Sequence, residues 1–261
     1  MKPNITMYHN RLIPCLLLDH GRLVKTTQFK KPRYLGDPLN AVRIYNDREV
    51  DELIFLDINA SRERRHPDLE YLQKITAQCF MPVCYGGGVS NMDDVRDLFR
   101  IGFEKVSINA SAADNIELIR EAAEVFGSQS IVGAMDVAES GSAGSGRYAV
   151  KILNGRKRVS KNPVEYAKRL EEAGAGEILV NSITRDGSMH GYDTELIRNI
   201  SAEVSVPLIA CGGAHDIEDC KEVCDAGASA AAAGSMFVFY GRNRAILINY
   251  PDQDVINRSF A

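Results

Sequence analysis

The 261-residue sequence has little that would indicate a metal or redox centre. Its six cysteines (15, 79, 84, 211, 220 and 224) form no Cys-x-x-Cys pair, and its five histidines include no pair with metal-binding spacing. Several of the cysteines lie within apolar, strand-like runs instead. We therefore expect reduced cysteines that pack as small apolar side chains, with no metal, no cofactor and no catalytic histidine.

The sequence also lacks long hydrophobic runs and an excess of positive charge. No apolar run approaches the ~20 residues that cross a membrane, and the polar start MKPNITMYHN contains no signal-peptide core. The formal net charge of −4 argues against a nucleic-acid partner, which is usually bound through a basic patch. These absences predict a cytoplasmic protein without a membrane or nucleic-acid partner.

What the sequence does contain is an alternation of short apolar runs with amphipathic stretches. Continuous apolar runs are typical of strands buried on both faces, as in parallel sheets. One intervening stretch, 113–127, predicts a helix that begins at Asp114 and ends at Gly127. Eight strands alternating with helices predict an α/β fold, a single (β/α)8 TIM barrel over residues 1–261. The predicted strands are 11–18, 51–58, 81–86, 104–109, 130–137, 176–183, 206–212 and 230–235.

The two halves of the chain resemble each other. Residues 51–57 (DELIFLD) match 176–182 (GEILVNS), and 81–87 (MPVCYGG) match 206–213 (VPLIACGG), both at an offset of 125 residues. The first and fifth strands align at a slightly shorter offset. The pattern indicates a half-barrel duplication, although glycine-ended strands can also resemble each other by chance.

Glycines follow several strands at the carboxyl end, where the active sites of this fold lie. Because glycine lets backbone N–H groups approach an anion, one phosphate site is predicted after strands seven and eight and a second after strands three and four. Tight turns alone are the alternative explanation. Two facing sites imply a small-molecule substrate that is phosphorylated at both ends or carries a diphosphate. The first set is Gly212, Gly213, Gly234 and Ser235, and the second is Gly87, Gly88 and Asn109.

Polar side chains occupy the same end of the predicted barrel. Asp136 ends the fifth strand and is the predicted catalytic acid or base, since partial desolvation there would raise its pKa. Asn181 ends the sixth strand, and Asp186 and Gly187 follow it; these are predicted to contact the substrate, although Asp186 could instead cap a turn. Lys25, after the first strand, could neutralise a phosphate or be an ordinary solvated lysine.

A glycine- and serine-rich segment, 141–146, follows the fifth strand. It lacks the Gly-Lys-Ser/Thr of a phosphate-binding loop, so no nucleoside triphosphate site is indicated. We interpret it either as a lid over the barrel mouth or as an irregular excursion.

Charged residues occupy the opposite end of the predicted barrel, at the starts of its strands. Two acids and two bases there could form a closed ring of ion pairs. Charge at this face usually serves stability, and the residues alone support no other role. The four are Arg11, Glu52, Lys105 and Glu177.

Taken together, these motifs resemble the cyclase subunit of imidazole glycerol phosphate synthase. The resemblance runs from about Arg11 to about Phe239 and rests on RLIPCLLL, GRLVKT, GDP, DELIFLDI, YGGGV, KVSIN, GAGEIL, SITRDG and IACGGA. In that family a glutaminase subunit binds the amino-terminal face of the barrel, and ammonia passes through the barrel to its mouth. The resemblance implies that the ring of four charges is the ammonia gate. It also implies that the two glycine sets hold a bis-phosphorylated ribonucleotide of histidine biosynthesis.

One catalytic position departs from the family pattern. The family uses two aspartates, which end strands one and five; Asp136 matches the second, whereas Leu17 occupies the place of the first. A leucine cannot transfer a proton, and loss of one group of such a pair costs on the order of 10² to 10⁴ in rate. Other departures also lie at the mouth, where Ala110 and Asn181 replace threonines and Cys211 replaces a serine.

The charged residues at the amino-terminal end of the barrel (the floor) match the family, whereas several residues at the carboxyl end (the mouth) do not. This contrast predicts that ammonia is delivered to a different acceptor. The pattern resembles cyclase-like proteins linked to surface-polysaccharide biosynthesis, in which barrel and glutaminase supply ammonia to a sugar amidotransferase that acts on a nucleotide sugar. Two alternatives stay open: a true cyclase of histidine biosynthesis, and a non-catalytic scaffold that activates the glutaminase when ligand occupies the mouth. The tail, 248–261, predicts at most a final helix.

Overall fold

The computed structural model describes residues 10–140 and 147–260, so the predicted lid or loop at 141–146 lies outside the described residues. A short 3-10 turn spans Ser128–Ser130. The other elements, in chain order, are β1 (Arg11–Asp19), β2 (Arg22–Thr27), β3 (Lys30–Gly36), α1 (Pro38–Asp47), β4 (Leu53–Asp57), α2 (Ala60–Glu63), α3 (Leu69–Thr76), β5 (Val83–Gly86), α4 (Met92–Arg100), β6 (Lys105–Ile108), α5 (Ala110–Asp114), α6 (Glu117–Phe126), β7 (Ile131–Glu139), β8 (Tyr148–Ile152), β9 (Lys157–Ser160), α7 (Pro163–Glu172), β10 (Glu177–Ser182), α8 (Thr194–Ser201), β11 (Leu208–Cys211), α9 (Ile217–Asp225), β12 (Ala230–Ala233), α10 (Ser235–Val238), β13 (Phe239–Tyr240), β14 (Ala245–Ile246) and α11 (Gln253–Phe260).

Eight parallel strands close into a barrel in the order β1, β4, β5, β6, β7, β10, β11, β12, and β12 pairs with β1. Helices follow the strands and pack on the outside, where the main hydrophobic core lies between sheet and helices. This is the predicted (β/α)8 barrel, and all eight predicted strands are present, with ends shifted by at most a few residues. No helix in the described residues is long and apolar enough to span a membrane.

Six of the helices begin where a side chain accepts one of the first free backbone N–H groups: α1, α3, α4, α7, α8 and α9. Asp216, for example, accepts from the N–H of Asp219 at 3.1 Å and so starts α9. The helix predicted over 113–127 is in fact two helices, because Asn115 is extended and its side chain accepts from the N–H of Glu117 at 3.2 Å. Asp114 therefore ends α5 rather than starting a helix, whereas Gly127 ends α6 as predicted.

Two antiparallel hairpins that the sequence analysis missed stand at the mouth. β2 and β3 follow β1, and β8 and β9 follow β7, so the hairpins occupy equivalent places in the two halves. Asn154-Gly155 is a hairpin turn signal that would have identified the second. The first turns at Gln28 and Phe29, both at positive φ without a glycine, and its sequence gives no such signal.

The barrel lumen follows from the two-residue period of the strands. Along β1, Ile13, Cys15 and Leu17 belong to an inner apolar cluster, while Leu12 and Leu16 pack against the helices. The inner cluster fills the lumen between the charged floor and the mouth. Its members are Ile13, Cys15, Leu17, Val24, Ile54, Cys84, Val132, Ala134, Leu179, Ile209, Cys211, Ala230 and Ala232.

Candidate active site

A cavity that is open to solvent lies at the carboxyl ends of the strands. Because the strands are parallel, their carboxyl ends meet at one rim, and residues far apart in the sequence converge there. The cavity is lined by every residue that the sequence predicted for catalysis or substrate binding. These are Lys25, Gly87, Gly88, Asn109, Asp136, Asn181, Asp186, Gly187, Gly212, Gly213, Gly234 and Ser235.

Asp136 lies at the mouth end of β7 between two amide side chains. Asn109 Nδ2 donates to its Oδ2 at 2.9 Å, and Asn181 lies beside it as its register partner on β10. Burial of the carboxyl group raises the pKa of Asp136 to about 7; the negative charge of Asp186 adds to this rise, and the two amides oppose it. A carboxyl group that titrates near neutral pH can donate or accept a proton, as a general acid or base must.

Leu17 occupies the position related to Asp136 by the half-barrel repeat. It lies opposite Leu56 in the strand register, as Asp136 lies opposite Asn181, and Leu56 and Asn181 are 125 residues apart. Leu17 is buried in the inner apolar cluster, and Leu56 packs against that cluster. The mouth therefore has a polar side at Asp136 and an apolar side at Leu17.

Asp186 ties the first hairpin to the loop that follows β10. Its carboxylate accepts hydrogen bonds from Lys25 Nζ, from Thr26 Oγ1 at 2.7 Å and from the backbone N–H of Phe29 at 3.1 Å. Lys25 is buried in this contact, so the alternative of a solvated lysine is wrong. Both charged groups still line the cavity, so any contact that they make there is made from within this ion pair.

The glycines at the mouth have a steric reason as well as the predicted binding role. Gly88 has a φ of +73°, and a Cβ there would lie 2.4 Å from the carbonyl oxygen of Arg65. Gly213 has a φ of +120°, and a Cβ there would lie 2.1 Å from the carbonyl oxygen of Gly191. The loops at these corners therefore pack too closely for any side chain, so the turn explanation accounts for these two glycines, and their phosphate role stays a prediction.

Each of the two predicted phosphate sites contains a polar atom without a partner. Ser235 Oγ and Asn109 Oδ1 are buried, and neither has a hydrogen-bond partner among the residues that the structure describes. Buried polar atoms without partners are rare, and they suggest that a ligand or water supplies the missing hydrogen bond.

The four charged residues at the floor form the closed ring that the sequence suggested. Lys105 Nζ donates to Glu52 at 3.0 Å and to Glu177 at 2.8 Å, and Arg11 pairs with both glutamates. Burial by itself would lower the pKa of Lys105, but the charges of Glu177 and Glu52 outweigh it, so the pKa is raised and the lysine stays charged. The ring separates the outside of the floor from the apolar lumen.

Two cysteines face the mouth close to each other. A hydrogen bond with Cys15 and then burial raise the pKa of the Cys211 thiol well above its usual range. A thiol in this state is a poor nucleophile. All six cysteines are free, five of them buried and Cys79 half-buried, as expected of small apolar packers.

The cavity lining also includes residues that the sequence did not indicate, among them Phe29, Asp57, Ser61 and Asn154. Ser61 Oγ accepts from the N–H of Gly88 at 3.1 Å, and Asn154 in the second hairpin donates to Asn59 at 3.0 Å. Ser61 lies on the short helix α2 and Asn154 in the turn of the second hairpin. Their positions at the mouth depend on tertiary contacts, so only the Asn-Gly turn gave a local signal.

Comparison with known proteins places this site in a family. The model of a family described as histidine biosynthesis protein matches residues 11–243. The chain belongs to that family.

Several members resemble the chain over nearly its whole length. A Pseudomonas aeruginosa protein provisionally named imidazole glycerol phosphate synthase subunit hisF2 is 49% identical over 247 residues, which cover 94% of this chain and 97% of that protein. A Vibrio vulnificus protein provisionally named subunit hisF3 is 42% identical over 246 residues, or 94% of each chain. An Alkaliphilus metalliredigens protein named imidazole glycerol phosphate synthase subunit HisF is 42% identical over 232 residues, which cover 88% of this chain and 91% of that protein. The predicted resemblance to the cyclase-subunit type is confirmed.

Proposed function

We propose that this chain is the ammonia-channelling synthase subunit of a two-subunit glutamine amidotransferase, and that it serves the amidation of a nucleotide sugar in surface-polysaccharide biosynthesis. The observation that carries the proposal is the contrast between the two ends of the barrel. The charged floor and the apolar lumen match ammonia delivery. At the mouth, Leu17 and Leu56 make one side apolar, where proton transfer would need a carboxylate. The numbered names hisF2 and hisF3 of two relatives are consistent with additional copies of this type of subunit.

Ammonia delivery is supported by the contrast between floor and lumen. A lumen lined by Ile13, Ile54 and Val132 favours neutral ammonia over ammonium, because an unpaired cation loses its hydration there. The ring of Arg11, Glu52, Lys105 and Glu177 would have to open one ion pair to admit it. We assign these four residues as the gate.

The glutaminase partner would bind the floor of the barrel, because the ring of four charged residues is accessible from that side. Phe80, just before β5 at the same end of the barrel, is 89% exposed. An exposed aromatic side chain of this kind is typical of interface hot spots. We propose that Phe80 contacts the glutaminase subunit.

At the mouth, the proposed substrate contacts use both predicted phosphate sites. Gly212, Gly213, Gly234 and Ser235 would hold one phosphate, and Gly87, Gly88 and Asn109 the other. Lys25 and Asp186, with Asn181 and Gly187, would orient the group between them. A nucleotide-sugar diphosphate and a bis-phosphorylated ribonucleotide both fit this description, so the phosphate sites do not by themselves choose the acceptor.

The main competing function is a true cyclase of histidine biosynthesis, which Asp136 favours because its pKa of about 7 suits proton transfer. The position of Leu17 separates the two. We expect Leu17→Asp to raise ammonia-dependent turnover of the ribonucleotide intermediate by about 10² or more, since it restores the second carboxylate. Steady-state kinetics of both forms provide the measurement, with Leu23→Asp as a control for the mere addition of a buried charge.

A wild-type chain that already turns over the intermediate at full rate would refute the altered-acceptor proposal. Growth of a histidine auxotroph that lacks the cyclase, when supplied with this chain, would refute it as well. A scaffold without chemistry predicts that neither form turns over, but that ligand at the mouth still stimulates the glutaminase.

A further inference from the structure

Two segments lie side by side along one edge of the mouth: 22–36, which forms the first hairpin, and 239–247, which follows α10. Arg33 of the first donates to the carbonyl oxygen of Arg244 in the second at 3.1 Å, and its guanidinium lies 5.2 Å from the centre of the Phe239 ring. We call the surface formed by these two segments the hairpin platform.

The hairpin platform is fixed to the mouth. Arg244 donates to the carbonyl oxygens of Gly187 at 3.1 Å and Ser188 at 3.2 Å, and Gly187 lines the cavity. On the other segment, Lys25 and Thr26 bond Asp186. Anything bound to the hairpin platform is therefore held at a set position beside the cavity.

The charge of the hairpin platform differs from that of the whole chain. The chain has a net charge of −4, yet the two segments contain no Asp or Glu. Apart from Lys25, none of their cations forms an ion pair within the described part of the chain, whereas helix cations such as Arg96, Arg120 and Lys168 are paired with neighbouring acids. The unpaired cations are Arg22, Lys30, Lys31, Arg33, Arg242 and Arg244.

The hairpin platform also exposes apolar surface. Tyr34 is 59% exposed and Tyr240 67%, and Ile246 and Leu247 are exposed beside them. Four of the seven large exposed hydrophobic side chains in the described residues thus lie in these two short segments. Exposed tyrosines among arginines are the composition of protein interfaces, and a concentrated apolar patch usually marks one.

We propose that the hairpin platform docks the enzyme that consumes the ammonia, through an acidic surface of that enzyme. This rests on the proposed function, in which ammonia leaves the barrel at the mouth. Ammonia released into water becomes protonated and diffuses away, so the acceptor enzyme has to cover the cavity. The hairpin platform is continuous with the cavity rim and has the unpaired positive charge that an acidic surface would complement.

The test begins with a photo-crosslinking amino acid at Tyr34 or Tyr240 in cells that make the protein naturally. The matched control position is Val125 on α6, which is 57% exposed and remote from the mouth. We expect the two positions on the hairpin platform to form an adduct with an ammonia-consuming enzyme. The control position should form no such adduct.

That enzyme is then purified and mixed with the chain, its glutaminase and glutamine labelled with nitrogen-15 in the amide. We expect Lys30→Glu with Lys31→Glu to lower transfer of the label by at least about tenfold, since each cation removed from a charged interface weakens association several-fold. Transfer from added ammonium salt should not change. Arg96→Glu with Arg120→Glu, on α4 and α6, provides an equal charge change away from the hairpin platform.

The docking proposal would be overturned by an adduct formed only with lipid, only with a second copy of this chain, or with a protein that consumes no ammonia. Full label transfer by the double variant Lys30→Glu with Lys31→Glu would also overturn it. The absence of an adduct from either tyrosine would overturn it too. The proposed function fails separately, if the chain and its glutaminase convert the ribonucleotide intermediate without a third protein.

Discussion

At the scale of single residues, Leu17 and Asp136 occupy equivalent backbone positions in the two half-barrels, but only Asp136 has a carboxyl group that can transfer a proton. Both occupy the same register position in their half-barrels, opposite Leu56 and Asn181 respectively. The sequence was enough to align them, because strand patterns carry the repeat. The pKa of Asp136 depends on groups from three other strands or loops, which no local pattern contains.

The raised pKa of Asp136 makes stability depend on pH. Because its pKa in the folded chain, about 7, exceeds its ordinary value, the folded state binds a proton more tightly than the unfolded state. Its contribution to the free energy of unfolding is therefore greatest below about pH 4 and is lost as the pH rises through about 7. We expect Asp136→Asn to be more stabilising at pH 8.5 than at pH 5.

Urea denaturation at the two pH values measures this difference. Asp225→Asn, at an exposed position on α9, provides the control and should change stability equally at both. An Asp136→Asn effect independent of pH would mean that the carboxyl group of Asp136 titrates outside this range.

At the scale of elements, the hairpins after β1 and β7 determine the shape of the mouth. The barrel strands are recognisable in the sequence because they are continuous apolar runs, whereas hairpin strands such as β3 and β9 are not, because they are short and partly exposed. Their positions follow from contacts across the barrel, such as that between Lys25 and Asp186. This is why Lys25 could not be assigned between a solvated and a buried role from sequence.

The contact between Lys25 and Asp186 should contribute strongly to stability. Asp186→Ala would leave the buried ammonium group of Lys25 without a partner, at a cost of about 3–5 kcal/mol. Lys25→Met with Asp186→Leu should cost less, because no charge is then left buried. Chemical denaturation gives both values, and hydrogen exchange over 22–36 should increase in the single variant.

The exposed pair of Lys221 and Asp225 serves as the comparison, and Asp225→Ala should cost under about 1 kcal/mol. Equal costs at the two sites would show that water screens the Lys25–Asp186 pair as it screens a surface pair.

At the scale of the whole molecule, the barrel separates a charged floor from a glycine-rich, partly polar mouth, with an apolar lumen between them. In the proposed function, ammonia from glutamine hydrolysis enters at the floor and is used at the mouth, so the coupling of hydrolysis to ammonia use can be tested by a change at the floor alone. We expect Lys105→Glu to uncouple glutamine hydrolysis from ammonia use, since it places a third carboxylate in the ring and removes one of its two cations. The ratio of glutamine hydrolysed to product formed should rise above one.

Lys168→Glu on α7 is the matched charge reversal, because Lys168 pairs with Glu203 on the outer surface, and it should leave that ratio unchanged. Unchanged coupling in Lys105→Glu would return the ring to a purely structural role.

The floor should also bind the glutaminase through Phe80. We expect Phe80→Ala to weaken the complex by about tenfold or more, a cost typical of truncating an interface aromatic. Isothermal titration calorimetry with the purified glutaminase measures the change. Val125→Ala, on the outer face of α6, should have no effect, and an unaffected Phe80→Ala complex would place the interface elsewhere on the floor.

The sequence by itself determined the barrel, the repeat and the residues that line the mouth, because parallel strands are continuous apolar runs whose carboxyl ends must meet. It also determined that Leu17 stands where Asp136 stands in the other half. Only the tertiary structure decided that Lys25 is buried against Asp186, that the floor charges form a closed ring, and that unpaired cations gather at one edge of the mouth. These depend on distances between segments far apart in the chain, which local patterns of hydrophobicity do not specify.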